Sequence, residues 1–94
     1  MATGPRWRAS ARAIHTRTPR GGVVLDPVAK AYFALNESGE VLWKVLQDGA
    51  SAEQLVAALC SEFDVDEAIA RADVDAWISE LGAAALIQPT DAAG

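Results

Sequence analysis

The sequence predicts an α+β domain in which a three-stranded antiparallel sheet is followed by three helices. Three observations carry that reading. Residues 12–35 divide into short β-type runs at Pro19-Arg20-Gly21-Gly22 and at Asp26-Pro27, both of them turn sequences. From Asn36 onward, apolar residues recur at helical spacing behind side chains suited to capping. The last β-type run, Tyr32-Phe33-Ala34-Leu35, feeds directly into the first helix start, which on so short a chain leaves it at a sheet edge. An open edge offers unpaired backbone N–H and C=O groups to any extended segment that arrives, and this edge is read as the working part.

The elements follow in order. Residues 1–11 are small, polar and basic, and are expected to be a flexible N-terminal segment. The folded domain is expected over residues 12–88, with a tail from 89 to 94. In residues 12–18 a loose alternation puts Ala13, His15 and Arg17 on one face of a first strand. His15 is the chain's only histidine, with no cysteine beside it, so it reads as an exposed strand residue rather than a metal ligand. Val23-Val24-Leu25 is the second strand and Tyr32 to Leu35 the third. In that third strand Phe33 and Leu35 share the face assigned to the core, with Tyr32 and Ala34 on the other.

Asn36 caps a helix with Val41, Leu42, Val45 and Leu46 as its apolar stripe, and Asp48-Gly49 ends it. Ser51 and Gln54 form a capping-box pattern for a second helix, with Leu55, Val56, Leu59, Cys60 and Phe63 on one face. Cys60 is therefore expected to be a buried structural thiol. Asp64 to Glu67 is another capping-box pattern, opening the longest helix, which runs to about Ala84. Its broad face holds Ala70, Val74, Trp77, Ile78, Leu81 and Ala85. Trp77 lies at a margin of that face, a position from which it either packs inward or roofs a groove. Leu86-Ile87 is a closing apolar anchor before Pro89.

Composition narrows the function. All thirteen carboxylates lie after residue 20, against Lys30, Lys44 and Arg71, while residues 1–20 hold five arginines and no acid. An acidic body is a poor partner for a phosphate backbone. One cysteine excludes an internal disulfide framework, and no apolar run reaches the roughly 20 residues of a membrane span, so a cytoplasmic protein is expected. There is no Ser/His/Asp or Cys/His set, no phosphate-binding glycine loop and no metal-ligand cluster, and hence no expected enzyme activity, cofactor or metal.

The order Leu25-Asp26, Tyr32-Phe33-Ala34-Leu35-Asn36, Gly39, Val41-Leu42 and Leu46-Gln47-Asp48-Gly49 resembles the PqqD family. Asp73-Val74, Trp77-Ile78 and Leu81 fit the same pattern, so the resemblance spans roughly residues 12–88. It implies a winged helix-turn-helix-like domain that recognises the leader region of a ribosomally made precursor peptide. The leader would add as a strand beside the third strand, in a cleft closed by the third helix. The residues so implied are Tyr32, Phe33, Ala34 and Leu35 on the strand, and Asp73, Trp77 and Leu81 on the helix.

The Tyr-Phe-x-Leu-Asn strand and the small size look most like the members that serve lasso-peptide biosynthesis. Those imply a separate leader peptidase or modifying enzyme as second partner, and neither nucleic acid nor membrane. One departure is Ala83-Ala84-Ala85, where the family commonly has a glycine before the final apolar pair. The alternative is a winged-helix DNA-binding regulator. That reading needs a basic recognition helix, whereas Arg71 is the sole cation of the second and third helices.

Overall fold

The computed structural model describes residues 5–90. The chain runs β1 (Arg6–Ala9), β2 (Ile14–Thr18), β3 (Gly21–Asp26), β4 (Ala31–Leu35), α1 (Glu37–Leu46), β5 (Ala50–Ser51), α2 (Ala52–Glu62), α3 (Glu67–Ala83) and β6 (Ile87–Thr90). The expected meander is present as the sheet β2-β3-β4, all antiparallel. Ile14 lies opposite Leu25, and Gly22 opposite Leu35.

Asp26 sets the turn between β3 and β4. Its carboxylate is fully buried and accepts hydrogen bonds from the N–H groups of Val28 (2.9 Å) and Ala29 (3.1 Å) and from Nε of Arg12 (3.3 Å). The Ala29 hydrogen bond, joined by Val28 and the Arg12 guanidinium, holds the carboxyl below its ordinary pKa against the opposing effect of burial.

The helices begin where local side chains satisfy their orphan N–H groups. Asn36 accepts from Gly39 N–H at 2.8 Å, and both arms of the Ser51–Gln54 capping box are made. The third start is corrected. Asp66, not Asp64, caps α3, by accepting from Ala68 N–H at 3.0 Å, while Val65 packs against the core.

Two further expectations are overturned. Arg6–Ala9 is a strand and not part of a flexible segment, and Pro89 and Thr90 belong to β6 and not to a tail. β1 pairs with β6 along its length and with β5 at Arg6 and Trp7, making a second three-stranded sheet. Arg6 braces it, with Nη2 donating to the Gly49 carbonyl at 2.9 Å. Residues 1–4 and 91–94 lie outside the described residues. Cys60 is exposed, because it sits roughly 140° round the helix from Leu55 while Val56 and Leu59 lie nearer the buried direction.

The core gathers Val24 and Leu35 from the meander, and Leu42, Trp43 and Leu46 from α1. Leu55 and Leu59 join from α2, Val74 and Leu81 from α3, and Leu86 and Ile87 from the C-terminal end. Trp43, outside the stripe read from sequence, is among the buried residues.

The end of α3 is a turn of the kind that favours glycine. Ala85 N–H donates to the Gly82 carbonyl and Leu86 N–H to that of Leu81, the two hydrogen bonds of a Schellman motif. The motif puts Ala85 at φ 61°, in the left-handed region, and its side chain points to solvent. Ala85→Gly is expected to raise stability by about 1 kcal/mol, since a Cβ in that region costs roughly 1–2 kcal/mol. Thermal unfolding followed by circular dichroism checks it.

Candidate functional site: the open edge of β4 and the groove beside α3

β4 has β3 on one side, and among the described residues no strand on the other. In an antiparallel edge strand, alternate residues turn both N–H and C=O outward, which makes this side a template for one more strand. Along β4 the side chains alternate as expected from the pleat. Leu35 is buried and Phe33 half-buried on the inner face, while Tyr32 (72 % exposed) and Ala34 point to the other face.

Beside the inner face runs a groove of about 290 Å³. Phe33 and Leu35 form one wall, and Asp73, Ala76, Trp77 and Glu80 of α3 form the other. Gly39 and Leu42 of α1 and Leu59 of α2 line the space between, with Asn36 and Ser38 at the start of α1, so the lining mixes apolar and polar groups. The absence of a side chain at Gly39 matters here, since a Cβ would come within 3.1 Å of the Leu35 side chain. Asp73 and Glu80 are exposed, one on each side of Trp77 along the helix, and give the wall an acidic rim.

Trp77 is only 8 % exposed, so its ring is packed into the core and also borders the groove. Its indole N–H is buried and has no hydrogen-bond acceptor among the described residues.

Of the site residues read from sequence, the structure brings Phe33, Leu35, Asp73 and Trp77 together on the groove. Tyr32 and Ala34 lie on the same strand but face away from it. Leu81 does not reach it, being fully buried in the core. The arithmetic of the helix gives the reason. At about 100° per residue, position 80 returns to within roughly 20° of position 73, whereas position 81 is turned by about 80°. Helix periodicity therefore places Glu80 on the face of Asp73, whereas the resemblance named Leu81 in its place. Gly39, Leu42 and Leu59 had no local signal, since they join the groove only through the packing of α1 and α2.

Among the described residues no group of three or more histidine, cysteine or acidic side chains is placed to hold a metal ion. What the arrangement can do is bind. An extended peptide can take main-chain hydrogen bonds from β4 and drop alternate side chains into the groove.

The model of the family described as Coenzyme PQQ synthesis protein D (PqqD) matches residues 21–87. No curated protein sequence matches the chain. Two solved structures are similar. "Lasso peptide synthetase B1 complexed with the leader peptide" has a TM-score of 0.75 and 26% identity, covering 88% of this chain and 98% of that one. "TbiB1 in Complex with the TbiA(beta) Leader Peptide" has a TM-score of 0.76 and 25% identity, covering 86% and 94%.

Proposed function

The chain belongs to the PqqD family, and on that premise we propose that it binds the leader region of a ribosomally synthesised precursor peptide and presents it to a separate leader peptidase or modifying enzyme. It does so without chemistry of its own. The observation that carries this reading is the open edge of β4 lying along the groove beside α3. Its support comes from two similar proteins whose solved structures are leader-peptide complexes.

The leader adds antiparallel or parallel to β4, with main-chain hydrogen bonds that are indifferent to sequence. Selection comes from the side chains that enter the groove. An apolar residue meets Phe33, Leu42 and Trp77, and a basic or hydroxyl-bearing one meets Asp73 or Glu80. A peptide oxygen reaching the Trp77 ring edge would also satisfy the indole N–H, whose burial without a partner costs about 1–3 kcal/mol. Among the described residues no helix is long and apolar enough to cross a membrane. Cytoplasmic action is part of the proposal.

Fluorescence polarisation tests it, with the leader of a precursor encoded beside this chain's gene and with duplex DNA as competitor. Saturable leader binding that duplex DNA leaves unchanged at physiological salt is the expected result. Specific duplex binding without leader binding would overturn the proposal in favour of a regulator. Such binding would be at odds with α3, whose Arg71 lies 3.7 Å from Glu67.

A further inference from the structure

The meander has a second open edge. β2 lies at the far side of the sheet from β4 and, among the described residues, pairs only with β3. Beside it, α1 closes a second groove of about 510 Å³, with His15 and Arg17 on the strand side and Glu40, Trp43 and Lys44 on the helix side. α1 separates the two grooves, for Gly39 and Leu42 border the one beside β4 while Glu40 and Lys44 border this one.

The charges of the two are opposed. Among the described residues the β4 groove carries Asp73 and Glu80 and no cation on its lining. In the β2 groove the one carboxylate among the described residues, Glu40, is engaged by His15, with Nε2 to Oε2 at 2.7 Å. The His15 ring in turn lies tilted over Trp43, with centroids 6.2 Å apart. Arg17 and Lys44 are exposed, and neither makes an ion pair among the described residues. Lys44 sits in the last turn of α1, where the helix dipole alone favours a cation. That does not account for Arg17, which approaches the same space from a strand. Arg17, from the arginine-rich first twenty residues, and Lys44 of α1 thus face one groove at an open strand edge, with Val41 and Trp43 between them.

We propose that the groove between β2 and α1 docks an extended acidic segment of a second protein. Its carboxylates are held by Arg17 and Lys44, its backbone lies along β2, and an apolar side chain rests against Trp43 and Val41. A nucleic acid is the poorer occupant, because phosphate-backbone affinity grows with the number of cations and the surrounding body is acidic. The proposal does not depend on what occupies β4, and both grooves can be filled at once.

The test uses the full chain, labelled with ¹⁵N, and three probes: an alternating glutamate-valine octapeptide, its lysine-valine counterpart, and a single-stranded oligothymidylate. The acidic peptide is expected to shift amides in Ile14–Thr18 and in α1 from Glu40 onward, and to weaken with added salt. In the double variant Arg17→Glu, Lys44→Glu its affinity should fall at least tenfold, while the lysine peptide gains binding at the same amides. Both side chains are exposed, so the fold is expected to persist, and the same spectra report it. If the double variant unfolds, Arg17→Gln with Lys44→Gln is read in its place for the loss alone. Absence of shifts at β2 and α1, equal binding of both peptides, or tighter binding of the oligothymidylate at those amides would each overturn the proposal.

Discussion

Replacing Trp77 by alanine is expected to cost about 3–5 kcal/mol of folding stability, the range for a buried aromatic truncated to a methyl group. The ring is 8 % exposed and lies among the core residues of α3, so most of its surface has protein on it. For a domain of this size the loss is a large fraction of a stability of roughly 5–15 kcal/mol. The variant is therefore the wrong one for measuring binding. Trp77→Phe keeps a ring in the groove wall and removes the N–H that has no acceptor, so its cost in stability should be smaller. If the indole contacts the leader, the folded Phe variant should bind it about fivefold more weakly, roughly 1 kcal/mol. Chemical unfolding of both variants, with leader titration of the second, separates the two roles. An alanine variant as stable as the parent would show that the ring is not core.

Gly21→Ala is expected to be the next most damaging change. Gly21 has φ +147°, and a Cβ there would collide with the Leu35 carbonyl oxygen, which is backbone and cannot swing aside. Either β4 is pushed from β3 at its C-terminal end or the strand is strained. Overpacking of this kind costs about 1–3 kcal/mol, with the disfavoured φ in addition. Because the displaced strand is the one proposed to hold the leader, affinity should fall with stability. Gly82→Ala is the matched control. A Cβ at Gly82 meets nothing within 4 Å, and alanine is the better helix former by about 1 kcal/mol, so this variant should melt higher. Opposite shifts in Tm for the two glycines check the account.

The parts of the fold legible in the sequence are those fixed by neighbours in the chain. Asn36 and Ser51 cap their helices because the N–H groups they satisfy are three residues away. Asp26 makes its turn for the same reason. β1 was not legible, because Arg-Trp-Arg-Ala has little strand character of its own and is paired by residues 50–51 and 87–90. The choice of Asp66 over Asp64 was likewise settled by packing, with Val65 drawn to the core. In the groove the strand side followed from the pleat, and Asp73 and Trp77 from the family likeness. Glu80 follows from Asp73 by the helix period, seven residues on. The contributions of α1 and α2 required the tertiary structure.

In the proposed mode of binding the leader becomes a strand beside β4. Hydrogen exchange of the full chain, with and without the leader peptide, tests it most directly. Strand addition predicts that alternate amides within Ala31–Leu35, open at the sheet edge in the free protein, gain protection on binding. Protection confined to the helices, with those amides exchanging as before, would contradict it.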